Sequence, residues 1–398
     1  MNKWKFCSLE ELGEITSSKR IFQKEYVNKG IPFYRTKEIK ELANKKLVSS
    51  ELFISMERYE EIRKIFGVPK IGDILITAIG TVGEIYIVED NHKFYFKDGN
   101  ILWFKSFNKV NPFFLKYLLF FLINDLKNLS SGSAYKALPI AKLKRFQIPL
   151  PPIEEQRRIA AILDQADAIR RKRQQAIALT DELLRSTFLE MFGDPVINPM
   201  GWEVALIDDI SEVQGGLQVT SKRKNNPLEM PYLRVANVYR DRLVLDEVKT
   251  IRVTEQELKR TTLQIGDLLI VEGNGNAGEI GRSSIWDGSI SPCLHQNHLI
   301  RVRLDFNKAI PIYISAFLNS AGGRRQLNRF GKTTSGLNTI STSNVKATEV
   351  LLPPVAEQNK YTEVKKTIEK CLEKYQQHYQ QLDNLFNSLL QRAFKGQL

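Results

Sequence analysis

Residues 150–158 read LPPIEEQRR, and residues 352–360 read LPPVAEQNK. In each peptide a proline pair stands just before a long stretch without helix breakers. Proline is tolerated at the first turn of a helix, because the leading amides have no acceptor inside the helix. The acidic residues that follow favour the positive end of the helix dipole. Each peptide therefore reads as a helix start. From Ile153 to Phe192 there is no Gly or Pro, Ala, Arg, Gln and Leu dominate, and GDP at 193–195 supplies a stop. Strict sevens run through Ile162, Ile169, Ala176 and Leu183. In the second copy Tyr361, Val364, Ile368, Cys371, Tyr375, His378, Leu382, Leu385 and Leu389 alternate by three and four. That alternation is the seam of a coiled coil, with His378 as a polar residue that sets register; a pH-sensitive contact is its alternative role. A helix of about 38 residues is about 57 Å long. If the two helices pack on each other they form an antiparallel pair with approximate two-fold symmetry; two helices docked on separate cores is the alternative.

Outward from these peptides the self-similarity continues. WKFCSLEELGEI (4–15) matches WEVALIDDISEV (202–213), IPFYR (31–35) matches MPYLR (230–234), and IGDILI (71–76) matches IGDLLI (265–270). NPFFLKYLLFFL and AIPIYISAFLNS share a proline, as do the LPP segments. Five matches in one order indicate a duplicated module, each copy a globular part followed by a helix. Short β-branched runs bounded by Gly, such as DILITAIGTVGEIYIVED, lie beside helical stretches, so the expected class is α+β. The expected divisions are a first globular part at 1–150, a central spacer helix at 151–195, a second globular part at 196–352 and a C-terminal spacer helix at 353–398.

The 398 residues are 42% hydrophobic and 26% charged, as in ordinary globular proteins. The formal charge of +13 calls for an acidic partner, with nucleic acid first and an anionic membrane surface second. The start MNKWKFCSLEEL lacks the apolar stretch of a signal peptide. The longest apolar run, FFLKYLLFFLI at 113–123, is too short to span a bilayer and contains Lys116. Cys7, Cys293 and Cys371 have no paired spacing, which points to a reducing, cytoplasmic setting.

Two diverged globular parts, each followed by a long helix beginning LPPxxEQ, resemble the specificity subunit of Type I restriction-modification systems. Leu150, Pro151, Pro152, Glu155, Gln156, Ile159, Ala160, Leu163 and Asp164 carry the resemblance, with LPPVAEQ at 352–358 as the second copy. GDILI and GDLLI, with the Gly-Glu of VGEI and AGEI, are similar to that family's target-recognition domains. The resemblance implies two target-recognition domains, each reading half of a bipartite, asymmetric site in double-stranded DNA, and two helices forming an antiparallel spacer. It further implies two modification (methyltransferase) subunits docked on the chain, restriction subunits in the full complex, and no membrane. S-adenosylmethionine, ATP and magnesium are then expected on those partners and no cofactor or metal on this chain, which is a non-catalytic subunit.

Other motifs are weaker. GNGNAG at 273–278 fits a dinucleotide turn, but the strand-like EIGRSSIWDG follows it where a helix is required, and GTVG at 80–83 takes its place in the other copy. GKTT at 331–334 lacks the first glycine of a phosphate loop, since position 326 is Gln. CLHQNH at 293–298 offers Cys293, His295 and His298 without the spacing of a zinc site, so a buried Cys is expected. No methyltransferase NPPY-type motif or nuclease carboxylate cluster is present. For DNA contact the candidates in the first copy are Lys19, Arg20, Arg35, Lys37, Ser133, Tyr135 and Lys136. In the second they are Lys222, Arg223, Lys224, Arg234, Asn237, Lys332, Thr333 and Asn338. SGSAYK at 131–136 and GKTT are small, lysine-bearing loops just before each spacer helix. Solvation is the competing reading for the Lys clusters and for RRKR at 170–173. For Arg35 and Arg234, at matching positions of the repeat, it is a structural ion pair. The competing function is a structural coiled-coil scaffold whose globular ends bind proteins; a stand-alone nuclease is a third.

Overall fold

Both proline pairs stand where a helix begins. In a computed structural model, which describes residues 4–79, 82–123, 138–334 and 337–398, the central helix is Ile153–Phe192 and the terminal helix is Val355–Phe394, each of 40 residues. The central helix ends at Gly193, whose φ of +74 is open to glycine and strained for other residues.

The repeated Gln of LPPxxEQ has a role that its place in the first turn does not reveal. Gln156 is buried; its side-chain amide donates to the Pro151 carbonyl at 2.8 Å, and its side-chain oxygen accepts from the Asn111 backbone N–H at 2.8 Å. Gln358 does the same with the Pro353 carbonyl and the Ile310 N–H, both at 2.8 Å. One side chain thus fastens the helix start to the loop before the helix that begins at Pro112 or Pro311. Buried backbone groups need such partners.

The chain forms two compact units, residues 1–174 with 377–398, and residues 175–376. Each spacer helix therefore begins in one unit and ends in the other. In the first unit the two helices run antiparallel: Arg170 pairs with Asp383 at 2.8 Å, and Arg158 donates to the Leu398 carbonyl at 2.8 Å. In the second unit Phe188 and Phe192 meet Tyr361 edge-on at 5.6 and 5.5 Å.

The seam differs from the heptads expected of the sequence. Ile169 and Leu183 are exposed, and the buried face passes through Ile159, Leu163, Asp167, Thr180, Phe188 and Phe192. In the terminal helix Tyr361 and Ile368 are on the seam as expected. Val364, Cys371, His378 and Leu385 are exposed, and Lys365 and Phe386, one residue later, are buried in their stead. His378 sets no register. The shift follows from the globular parts, which ask each helix for a broader buried face than a two-stranded seam provides.

Within each unit the same β framework recurs. Lys5–Ser8 pairs with Gln147–Leu150, as Glu203–Leu206 pairs with Glu349–Leu352. Glu14–Thr16, Ile101–Lys105, Ile74–Thr77 and Ile85–Ile87 form an antiparallel sheet in that order. Its counterpart is Ser211–Gly215, Leu299–Leu304, Leu268–Val271 and Ser283–Ile285. A second sheet in each unit contains one parallel pair, Phe33 beside Tyr95 and Tyr232 beside Leu294. The architecture is α+β, duplicated.

The Gly-Asp of the matching IGDxLI peptides is structural. Gly72 and Gly266 have φ of +89 and +92. Asp73 accepts from the Lys70 N–H at 2.9 Å and the Trp103 indole at 2.8 Å. Asp267 accepts from the Gln264 N–H at 2.7 Å and pairs with Arg303 at 2.7 Å. A tight turn is closed onto the neighbouring strand by a buried carboxylate, with a different donor in each copy.

Among the described residues no helix is long and apolar enough to cross a membrane. Pro112–Phe121, within the longest apolar run, is a largely buried helix.

Candidate nucleic-acid interface

In the first unit the segment at 17–20 is laced to the strand and turn opposite. Ser17 donates to the Ile101 carbonyl at 2.9 Å, Ser18 to the Phe96 carbonyl at 2.6 Å, and the Lys19 N–H to the Tyr95 hydroxyl at 2.7 Å. The Lys19 ammonium lies 4.9 Å over the Phe66 ring, and Arg20, largely exposed, pairs with Asp98 at 2.8 Å. Exposed pairs of this kind contribute little and exchange readily for another anion. Lys19 and Arg20 are exposed at the surface of the first unit.

Arg35 is held differently. Its N–H donates to Glu38 at 2.8 Å at the start of helix Thr36–Ala43, and its guanidinium pairs with Glu38 at 3.0 Å and Glu51 at 2.8 Å, contacts that push its pKa further up. Lys37 also meets Glu51, at 3.2 Å, and borders a cavity of about 580 Å³ with Lys40, Lys46 and Glu84. In the second unit the Arg234 N–H donates to Asn237 at 2.9 Å and its guanidinium pairs with Glu247 at 3.3 Å. Matching positions of the repeat thus hold matching ion pairs, which favours the structural reading of both arginines. Asn237 is 2% exposed and gives its amide to the Val244 and Glu247 carbonyls at 2.8 and 3.0 Å. Its side-chain amide is thus committed to its own loop.

Lys222 and Lys224 stand exposed on the short turn Ser221–Asn225. Arg223 between them is tied inward, to Glu257 at 2.8 Å and the Gln218 carbonyl at 2.6 Å. It pins the turn that displays its neighbours.

Lys332, Thr333 and Asn338 come together. Lys332–Thr334 pairs with Leu337–Thr339, which pairs in turn with Gly273–Asn274, so GKTT and GNGNAG meet in one three-stranded sheet. Only a 3₁₀ turn, Ala277–Glu279, separates this loop from strand Ser283–Ile285, which is not the helix a dinucleotide site requires. The GKTT hairpin is not immediately before the spacer helix: the helix Thr342–Lys346 and the strand Glu349–Leu352 intervene. Ser133, Tyr135 and Lys136 lie outside the described residues.

Sequence reading missed the arginines around this sheet. The helix Ala321–Phe330, which leads into Lys332, carries Arg324, Arg325 and Arg329 on its exposed side. Arg240 donates to the Gly278 carbonyl, Arg282 pairs with Glu279, and Arg242 lies over the Tyr239 ring. The amphipathic spacing of GGRRQLNRF was the available signal.

CLHQNH scatters. Cys293 and His295 are buried, while His298 is exposed and meets Glu272 at 2.9 Å. Burial pushes the Cys293 thiol up to about 12 and the His295 imidazole down to about 4. Among the described residues no group of His, Cys, Asp or Glu is placed to hold a metal ion.

A family model described as Type I restriction modification DNA specificity domain matches residues 1–179 and again 199–384. The Type I restriction enzyme EcoKI specificity subunit of Escherichia coli K12 is 29% identical over 304 residues, 69% of this chain and 62% of that protein. The StySPI specificity subunit of Salmonella potsdam is 26% identical over 295 residues, 70% of this chain and 63% of that protein. The chain thus spans somewhat under two thirds of the length of these curated relatives. The solved structure of a Type-I restriction-modification system S subunit from M. genitalium superposes with a TM-score of 0.57 at 13% identity, covering 98% of this chain and 96% of that one. That likeness is one of fold. With one family model matched on both copies of the module, the chain belongs to the Type I restriction modification DNA specificity domain family.

Proposed function

We propose that the chain is a non-catalytic, sequence-specific DNA-binding subunit that reads a bipartite, asymmetric site and directs the methyltransferase and restriction subunits of a Type I restriction-modification complex. One observation carries the reading: the same β framework and helix anchor occur twice, while the polar residues displayed on the two copies differ. A framework repeated with altered display suits two readers of two different half-sites better than a palindrome. The named relatives are specificity subunits, which supports the same role here. In this reading Lys19, Arg20, Lys37, Lys222, Lys224 and Lys332 meet phosphates, while Thr333 and Asn338 stand near base edges. Arg35, Arg223, Arg234 and Asn237 support the loops that carry them. Two methyltransferase subunits dock on the chain; S-adenosylmethionine, ATP and magnesium belong to partners, and the complex works in the cytoplasm.

Mapping adenine methylation on DNA exposed to this chain, a cognate methyltransferase subunit and S-adenosylmethionine tests the proposal. A two-part motif with a fixed gap is the expected result. Methylation at one continuous site, or methylation that does not depend on this chain, would overturn it.

A further inference from the structure

In the second unit a group of arginines gathers where three elements meet: the hairpin of Val238–Tyr239 and Arg242–Leu243, the loop from Gly273 to Glu279, and the helix Ala321–Phe330. Arg240 is half-buried. Its guanidinium donates to the Gly278 carbonyl at 2.5 Å and to the Asn319 side-chain oxygen at 3.4 Å, both neutral acceptors. Arg282 lies beneath, 4.6 Å from the Tyr239 ring, paired with Glu279 at 3.3 Å and donating to the Val235 carbonyl at 2.9 Å. Arg242 covers the same ring at 5.3 Å. Arg324 is exposed and donates to the Ser320 carbonyl at 3.3 Å. Asp241, adjacent in sequence, is turned onto Ser315 at 2.9 Å and Lys365 at 3.3 Å. Among the described residues neither Arg240 nor Arg324 has a carboxylate at ion-pair distance. Burial lowers the Arg240 pKa; the Glu279 charge works against it, and the nearby Arg324 and Arg282 charges add to it.

The first copy supplies a comparison. Its helix Pro112–Phe121 places Lys116 where the second copy has Ser315, and Lys116, Arg170 and Arg171 converge on the Asp167 carboxylate at 4.0, 2.8 and 3.3 Å. There the chain provides the anion itself. In the second unit, among the described residues, Glu279 is at ion-pair distance of Arg282 and Asp241 of Lys365, and no carboxylate is at that distance from Arg240 or Arg324.

We propose that this corner seats a DNA backbone phosphate, with Arg240 and Arg324 as its ligands and Arg282, stacked with Tyr239, holding Arg240's loop in place. Guanidinium groups match phosphate oxygens in geometry and charge. The seat rests on the DNA-reading function proposed above and adds an anchor beside the sheet that carries Thr333 and Asn338. It fixes the register of the duplex and carries no sequence information of its own.

The assembled methyltransferase complex is titrated with a duplex containing its methylated motif and one lacking it, over a series of salt concentrations. The Arg240→Gln/Arg324→Gln double variant is expected to weaken both duplexes equally, on the order of ten-fold near 0.1 M salt, and to reduce the slope of log affinity against log salt by about one. Arg240→Lys/Arg324→Lys keeps the slope. A Gln variant with unchanged slope and affinity, a loss confined to the motif duplex, or equal loss in the Lys and Gln variants each overturns the phosphate seat. If the unaltered complex binds neither duplex, the DNA-reading function itself falls.

Discussion

Two glutamines show how one side chain can join a helix to a domain. Gln156 and Gln358 each use both ends of the amide, and truncation leaves a buried backbone N–H and carbonyl without partners. Gln156→Ala and Gln358→Ala are each expected to cost about 2–4 kcal/mol in urea unfolding. Gln156→Glu separates the two bonds: a carboxylate still accepts from Asn111 but cannot donate to the Pro151 carbonyl, so it too is destabilised. His295 gives a pH test. Burial holds its folded pKa at about 4, below the unfolded value of about 6.5, so the unfolded chain binds the extra proton between those values. Its contribution is fully present above pH 6.5 and is lost as pH falls toward 4, by about 3 kcal/mol at most. Unfolding measured at pH 7.5 and at pH 5 should show a smaller difference for His295→Gln than for the unaltered chain; equal differences would show that His295 is not the titrating group.

At the scale of elements the two helices carry the repeat, and the exact seam was the part hardest to read. The proline pairs, the absence of breakers and the Gly193 stop are local signals, so both helices were legible from sequence. Which of two adjacent residues faces inward was not, because steps of three and four both land on apolar residues and Val364 looks more interior than Lys365. Lys365 is buried because Asp241 and Glu369 answer it at 3.3 and 3.6 Å, and those partners are invisible in a heptad count. The same limit governs the site: exposed Lys222 and Lys224 could be read from charge alone, whereas the inward turn of Arg223 depends on Glu257, far along the chain, and that of Asn237 on a loop closing back over it, which charge does not show. The shifted seam is testable at one neighbouring pair. Phe386 lies against Tyr117 and Phe120 at 6.1 Å and under Arg170 at 4.6 Å, and Leu385 is exposed. Phe386→Ala should cost about 3–5 kcal/mol in chemical unfolding and Leu385→Ala under about 1 kcal/mol. The reverse order would restore the seam expected from the sevens.

For the whole molecule, the division into units falls inside the helices, between 174 and 175 and between 376 and 377. Each helix is thus an uninterrupted link from one unit to the other, with backbone hydrogen bonds that make its length a property of residue count alone. A seven-residue insertion preserves the alternation of buried positions on either side of it, whereas a shorter one rotates everything that follows. Inserting one heptad at the division point of both helices adds about 10 Å to each. At about 3.4 Å per base pair, the gap between the two methylated half-sites should grow by about three base pairs while the half-sites themselves stay unchanged. Methylation mapping with the lengthened chain reads both quantities at once. An unchanged gap would mean that the helices do not set the spacing, and an altered half-site would mean that reading and spacing are not carried by separate parts of the chain.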